Sequence, residues 1–285
     1  AFSALSAGAN SPFISEVFDY VPAPGQFIHL IPEVTDGMSR EQVLEAAARQ
    51  LVGDERPGMV SLGAFGGYIV FGFDHPIANV EGEYDFKIYG NAMKSLGSGA
   101  DTSAEPGIVM VSVDTNGNGI PDDEWFELRG SAHDNALANF TIRYSRPSQT
   151  ETSENIAWTS NDPDSPSGII TLNDFHTQSY WPGWIDEPVL SFRGTLLAPN
   201  AVDLSGTGLY FRLFAYAWGY ADNHPNSQKD LCSFDIDWAV DAYGMPVYLP
   251  GIDFIKVYTA VNQYCNWIGE TSTEICGATD LNLSR

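Results

Sequence analysis

The chain has few basic residues. Its 285 residues include 13 Lys and Arg against 37 Asp and Glu, which gives a formal net charge of -24 at pH 7. Such a charge opposes binding to a nucleic-acid phosphate backbone or to an anionic membrane surface. The composition therefore excludes nucleic acid as an expected partner and favours cation binding.

Long hydrophobic runs are also missing. No apolar run approaches the roughly 18 residues that a membrane span requires, so no transmembrane segment is predicted. The chain begins at Ala1 without the hydrophobic segment of a signal peptide, and a targeting peptide, if the protein has one, precedes this residue. Residues 1–12 are small and polar, and we expect them to form a tether.

Cysteine is scarce, with Cys232, Cys265 and Cys276 alone in the sequence. An odd number leaves at least one thiol unpaired, and only Cys265 and Cys276 are close enough in sequence to invite a bridge. We leave that bridge open. Because no Cys-x-x-Cys spacing occurs, a structural zinc site is not expected.

Sequence signatures of hydrolases are absent. There is no Gly-x-Ser-x-Gly, no His-Glu-x-x-His and no phosphate-binding loop. The five histidines are scattered, and we interpret them as structural or as hydrogen-bonding loop residues. Carboxylates are so numerous that a glycosidase pair, separated by about 5 or 9 Å, stays open as an alternative.

The stretch from 114 to 124 has the pattern of a calcium loop. Oxygen-bearing side chains occupy its positions one, three, five and nine, and Gly119 stands at position six, where an EF-hand turns sharply. Trp125 replaces the usual acid at position twelve. Strand-forming residues flank the loop, so we predict a hairpin rather than two helices. The alternative is a plain Asn-Gly turn without an ion. The predicted calcium ligands are Asp114, Asn116, Asn118, the Ile120 carbonyl, Asp122, Asp123 and Glu124.

Short strand patterns without intervening helices dominate the rest of the chain. They predict an all-β protein, a jelly-roll-like β-sandwich. One helix is expected at about 39–51, where Ser39 and Gln42 form a capping box. We predict a single domain over 13–268 with an elaborated insertion at about 145–186. Residues 269–285 are predicted to be a loose tail.

Two further groups attract attention as binding residues. Exposed aromatic side chains stack on sugars or flat heterocycles, although packing in the core is the alternative for each of them. For a second oxygen-rich group the alternatives are another cation site and side chains that face water. The aromatic candidates are Tyr180, Trp181, Trp184, Trp218 and Tyr220, and the oxygen-rich group is Asp222, Asn223, Asp235, Asp237 and Asp241.

Five segments together resemble a group of secreted cell-surface proteins of Bacteroidetes. They are SLGAFGGYIVFGFDHP at 61–76, DFKIYGNA at 85–92, EPGIVMVSVD at 105–114, FDIDWAVD at 234–241 and LPGIDFIKV at 249–257. The resemblance implies a jelly-roll scaffold with bound calcium at the outer surface, in a group that includes lipid-anchored proteins. It also implies ligand capture near TonB-dependent outer-membrane receptors, including those for cobalamin.

Three functional hypotheses follow. The first is a surface-exposed, calcium-containing, non-catalytic protein that captures a nutrient, either a glycan or a corrinoid-like cofactor, for uptake. The second is a carbohydrate-active hydrolase with a carboxylate pair near Trp181 and Trp184. The third is an adhesion module that recognises protein, for which a broad apolar patch is expected.

Overall fold

The computed structural model describes residues 10–94, 103–149 and 153–283. Within them the chain forms antiparallel sheets, one α-helix and short 3-10 turns, which confirms the all-β prediction. The helix is α1, Arg40–Leu51. The strands are β1 Glu16–Val21, β2 Val60–Ser61, β3 Tyr68–Ala78, β4 Phe86–Tyr89, β5 Gly107–Ser112, β6 Trp125–Leu128, β7 Leu137–Ser145, β8 Ile156–Ser160, β9 Ser167–Ile170, β10 Val189–Leu196, β11 Ala201–Asp203, β12 Phe211–Leu213, β13 Ser233–Phe234, β14 Ala239–Val240, β15 Gly251–Thr259, β16 Glu274–Ile275 and β17 Gly277–Asp280.

The largest sheet has six strands in the order β1-β3-β15-β5-β6-β14. Its register places Phe71, Ile255 and Val111 side by side across three neighbouring strands. All three are buried. Aromatic and β-branched neighbours of this kind stabilise a sheet through cross-strand contacts, which is why these segments form its centre.

A four-stranded sheet, β10-β7-β8-β9, supplies the second layer. On β7 the buried side chains Phe140, Ile142 and Tyr144 alternate with more exposed ones, as expected for a strand with one face in the core. They join the same buried cluster as the centre of the six-stranded sheet. The result is a β-sandwich. The strand order does not establish jelly-roll connectivity, which stays a prediction.

The helix begins where the capping box predicts. Ser39 Oγ accepts a hydrogen bond from the Gln42 amide at 3.3 Å, and Gln42 Oε1 accepts one from the Ser39 amide at 2.9 Å. These two bonds satisfy N–H groups that the first helical turn leaves without partners. Its apolar face packs on β1 and β2. The buried residues of that face are Val43, Ala46, Ala47 and Leu51.

The expected loose tail is wrong for most of its length. Strand β16 pairs with β2, and β17 pairs with β4, so the chain continues into two small sheets after Ile268. Ile275 and Ala278 are fully buried. The segment 270–280 is therefore part of the folded core, because its apolar residues complete the layer next to β4.

The remaining predictions concern the N-terminal tether, the insertion and the cysteines. Of the tether 1–12, residues 1–9 lie outside the described residues, and the Pro12 carbonyl accepts a hydrogen bond from the Asp280 amide at 2.8 Å. The predicted insertion contributes β8 and β9 to the second sheet. No disulfide forms among the described residues, so no bridge joins Cys265 and Cys276. Cys276 lies between β16 and β17, whereas Cys265 precedes a separate 3-10 turn.

No helix in the described part of the chain is long and apolar enough to cross a membrane.

Candidate functional site

The predicted calcium loop connects two neighbouring strands. Strands β5 and β6 pair antiparallel, with Ser112 opposite Trp125, so residues 113–124 close a hairpin as predicted. Gly117 and Gly119 adopt φ angles of 70° and 71°. Residues other than glycine rarely adopt this backbone conformation, which explains why the chain reverses its direction at these two glycines.

Inside the loop, side-chain oxygens turn toward the backbone. Asp114 Oδ1 and Asn116 Oδ1 both accept a hydrogen bond from the Asn118 amide, each at 3.0 Å. Asp114 Oδ2 accepts one from the Gly119 amide at 2.8 Å, and Asn118 Oδ1 accepts one from the Ile120 amide at 2.7 Å. These hydrogen bonds turn four side-chain oxygens toward the interior of the loop, and calcium sites are built from oxygens of these kinds.

The second half of the loop folds back on the first. Asp122 accepts hydrogen bonds from the side-chain amides of Asn116, at 3.0 Å, and Asn118, at 3.2 Å. Asp123 Oδ1 accepts a hydrogen bond from the Thr115 hydroxyl, and Asp123 Oδ2 is buried without a hydrogen-bond partner. A buried carboxylate oxygen without a donor is costly, and a cation would satisfy it.

The remaining predicted ligands, the Ile120 carbonyl and Glu124, have fewer contacts with the rest of the loop. The Ile120 carbonyl accepts a hydrogen bond from the Asp122 amide at 2.8 Å, and Glu124 is exposed. Among the described residues, the loop carboxylates do not form a group of three with oxygens within 4.8 Å of one another. A cation in this loop would therefore depend on the amide oxygens of the two asparagines as well.

An acid that the sequence analysis missed approaches the loop from another strand. Asp253, on β15, accepts a hydrogen bond from the Asp114 amide at 2.8 Å. It stands 139 residues away in sequence, and only the pairing of β15 with β5 brings it here. Strand registers of this kind are not encoded in a local motif, so no signal in the loop itself pointed to Asp253.

The predicted aromatic platform does not exist as a surface. Tyr180 and Trp181 are 0% exposed, and Tyr220 is 2% exposed. Trp184 is buried too and packs its ring edge-on against His29, with ring centroids 5.2 Å apart. Buried rings cannot stack on a ligand from solvent, so these four side chains serve the core. The Pro-Gly turn at 182–183 folds inward because both tryptophans find apolar contacts there.

Trp218 and Tyr220 support a neighbouring turn. Trp218 remains 39% exposed and packs on Trp238. The Trp218 carbonyl accepts a hydrogen bond from the Ser131 amide at 3.1 Å, and the Tyr220 hydroxyl accepts one from the Ala132 amide at 3.0 Å. These contacts fix the chain just before the 3-10 turn His133–Asn135.

That turn forms one wall of a cleft of about 390 Å³. The cleft lies directly after the loop at 114–124, because Trp125 and Glu127 of β6 line it. Its polar centre is Glu127: Oε1 pairs with His133 Nδ1 at 3.1 Å, and Oε2 accepts a hydrogen bond from Thr195 Oγ1 at 2.7 Å. The hydrogen bond to Glu127 outweighs burial and raises the pKa of His133.

The rim of the cleft carries aromatic and cationic side chains. Tyr243 is 91% exposed, and Arg193 donates a hydrogen bond to Asn139 Oδ1 at 2.7 Å. Trp125, Tyr243 and Arg193 come from three separate parts of the chain, and all line the cleft. The arrangement offers ring faces next to hydrogen-bonding groups, which suits a polar ligand with apolar faces.

The second oxygen-rich group does not assemble as expected. Asp235 and Asp237 do not alternate along a strand, because residues Ile236–Trp238 form a 3-10 turn and the Asp235 side chain accepts a hydrogen bond from the Asp237 amide. Asp222 and Asn223 are buried elsewhere. Asp222 lies with Glu105 and Glu274, two residues that the sequence analysis did not connect with it.

Comparison with known proteins adds no assignment: no family model matches the chain, and a search of curated proteins finds no significant similarity.

Proposed function

We propose that this chain is a non-catalytic binding protein, stabilised by calcium, that captures a glycan in the cleft next to the calcium loop. The proposal depends on one observation: the loop and the cleft are adjacent along the chain. The loop ends at Glu124, and the next residue, Trp125, already lines the cleft together with Glu127. An ion that fixes the loop would therefore also fix the position of the Trp125 ring.

The chemistry of the cleft supports a sugar ligand. Trp125 and Tyr243 present rings, and sugar rings stack their C–H faces on such surfaces. Arg193, Asn139 and His133 supply hydrogen-bonding groups around them. A volume of about 390 Å³ lies in the range of small-molecule sites, roughly 300–1,000 Å³, and suits one or two sugar rings.

The bonding of Glu127 favours capture over hydrolysis. A glycosidase needs one carboxyl group to donate a proton and a second carboxylate to act as nucleophile or base. Both oxygens of Glu127 are already engaged, one by His133 and one by Thr195. This carboxylate therefore orients the side chains of His133 and Thr195.

The cellular part of the proposal is capture at the cell surface for uptake through a TonB-dependent outer-membrane receptor. Only the sequence resemblance supports this part. A corrinoid-like ligand comes from the same resemblance, and it belongs in the ligand panel beside the glycans.

The test is a binding titration of oligosaccharides and corrinoids with the wild-type protein and with Tyr243→Ala. Removing one stacking ring is expected to weaken glycan binding about tenfold, because the ring contributes contact area and little else. Tyr248→Ala is the matched control, since Tyr248 is also exposed, at 77%, and does not line the cleft.

Equal affinities of the wild type and Tyr243→Ala for a bound glycan would contradict the cleft as the binding site. Binding of corrinoids and of no glycan would replace the proposed ligand class. Turnover of an oligosaccharide that Glu127→Gln abolishes would establish the hydrolase instead.

A further inference from the structure

Three carboxylates from distant parts of the chain meet in one cluster. Each of Glu105, Asp222 and Glu274 contributes an oxygen, and these oxygens lie within 4.8 Å of one another. Glu105 stands just before β5, Asp222 follows the bridge between Ala221 and Gly107, and Glu274 belongs to β16. The cluster therefore joins the six-stranded sheet to the segment that follows Ile268.

The cluster is buried and has no basic partner. Asp222 and Glu274 are each 3% exposed. None of the ion pairs among the described residues includes a member of the cluster. Glu274 Oε1 is buried and accepts no hydrogen bond of ordinary geometry, although Asn91 Nδ2 donates to Oε2 at 3.2 Å and the Ser61 and Ser272 hydroxyls lie near the carboxylate. A buried carboxylate oxygen that accepts no hydrogen bond is costly, and a cation held between the three carboxylates would satisfy it.

The backbone holds Asp222 in a fixed orientation. Its Oδ1 accepts hydrogen bonds from the amides of Asn91 and Ala92 at 2.7 and 2.8 Å, and its Oδ2 accepts one from the Glu274 amide at 3.0 Å. A Cβ atom at Gly90 would lie 2.3 Å from Asp222 Oδ1. Glycine is therefore required there, because the backbone approaches the carboxylate closely.

Either protons or a divalent cation can neutralise such a cluster. Burial, followed by the charge of Glu274, raises the pKa values of both Glu105 and Asp222 far above their ordinary range. Protons could therefore occupy part of the cluster. A proton, however, serves a single pair of oxygens, whereas a divalent cation attracts all three carboxylates at once.

We propose that Glu105, Asp222 and Glu274 bind one calcium ion, at a site separate from the loop at 114–124. The group contains oxygen donors and no His or Cys, which favours a hard cation over zinc. Calcium accepts six to eight oxygens, so backbone carbonyls and water complete the set. The ion links residues 105, 222 and 274, and thereby fastens β16 and β17 to the rest of the sandwich.

The test begins with the calcium content of the purified wild-type chain after equilibration with excess calcium and gel filtration. Two equivalents per chain are expected, one in the loop and one in the cluster. Glu274→Gln is expected to bind one equivalent less, and the double variant D114N/D122N is expected to lose the other one. Glu270→Gln is the matched control, because Glu270 is also 3% exposed and stands outside the group of three.

Thermal unfolding of the same proteins provides a second readout with opposite signs. In EDTA, Glu274→Gln is expected to melt at or above the wild-type temperature, because the substitution removes a buried like charge. In calcium it is expected to melt several degrees below the wild type, because only the wild type gains the energy of the bound ion. A simple packing defect would lower the melting temperature equally in both conditions.

Equal calcium content in the wild type and Glu274→Gln would overturn the proposal, as would equal losses of melting temperature in EDTA and calcium. If Glu274→Gln does not fold, Glu105→Gln takes its place, since Glu105 is only half-buried. Loss of the loop equivalent alone in D114N/D122N separates the two sites, so failure of the loop would leave this inference standing.

Discussion

Two acidic regions of this chain bring several side-chain oxygens close together in different ways. The loop at 114–124 collects its oxygens from consecutive residues and lies in a largely exposed hairpin turn. The cluster of Glu105, Asp222 and Glu274 collects three carboxylates from positions up to 169 residues apart, the difference between 274 and 105, and buries two of them. A local motif can thus be recognised without the fold, whereas the cluster exists only because of it.

The comparison also separates what each region would stabilise. A cation in the loop closes one turn between β5 and β6, whose strands already pair through the sheet. A cation in the cluster holds together chain segments that meet only in the folded state, so its binding depends on the folding of the segment 270–280. The segment 270–280 should therefore be the more sensitive of the two regions to substitution.

The substitution Ile275→Ala in β16 is expected to have the largest effect on stability. Ile275 is fully buried, and removing its side chain is expected to lower the free energy of unfolding by about 2–5 kcal/mol, from lost burial and the cavity left behind. The measurement is urea denaturation. Ile169→Ala is the matched control, because Ile169 also lies in a strand but is 57% exposed.

A loss below about 0.5 kcal/mol for Ile275→Ala, the range of ordinary surface substitutions, would show that the segment 270–280 is the loose tail that the sequence predicted. The contrast between the two acidic regions would then disappear, since neither would belong to the core.

A smaller and conditional effect is expected for Asp114→Asn in the loop. With calcium at 100 times its Kd, a bound ion contributes about 2.7 kcal/mol to the wild type. The variant is expected to lose most of that gain, because Asp114 stands at position one of the loop and accepts hydrogen bonds from the Asn118 and Gly119 amides. The measurement is the difference in melting temperature between calcium and EDTA.

Asp203→Asn is the control for this experiment. Asp203 also orders an exposed turn, through hydrogen bonds from Ser205 and Gly208, but the alternate oxygens that follow it are the hydroxyls of Ser205 and Thr207 and not carboxylate or amide oxygens. Its calcium response should equal that of the wild type. If Asp114→Asn responds to calcium as strongly as the wild type, the loop is a plain Asn-Gly turn.

Local features were predictable from the sequence because their causes are local. The capping box of Ser39 and Gln42 fixes the start of α1 through hydrogen bonds between residues three apart. The glycines at 117 and 119 fix the loop because their backbone conformations are nearly closed to other residues. Both features depend on chain geometry within a dozen residues.

The burial of side chains was not predictable in the same way. A Pro-Gly turn between Trp181 and Trp184 is equally compatible with a surface and with the core, and the contact with His29 decides between them. Asp253 and Glu274 approach their partners only through strand pairing across most of the chain. Periodicity indicates a strand, but it does not indicate which strand lies beside it.

The smallest expected effect is a pH dependence at the junction of β3 and β17. His75 Nδ1 pairs with Asp74 Oδ1 at 2.6 Å, and His75 Nε2 pairs with Asp280 Oδ2 at 2.7 Å. Burial alone would lower the pKa of His75, but the two carboxylates outweigh it and raise the pKa. The charged imidazolium is thus more stable in the folded chain than in the unfolded chain.

The sign of the effect follows from linkage. Below the ordinary histidine pKa of about 6.5 this contribution is complete, and it disappears as the pH rises through the elevated folded-state pKa. His75→Gln is expected to cost about 1 kcal/mol at pH 6, and less at a pH above the folded-state pKa. The measurement is urea denaturation of both proteins across that range, with His176→Gln as the control, because His176 packs against Phe27 in a different part of the fold. A cost that stays constant with pH would show that the charge of His75 contributes nothing to the contact between β3 and β17.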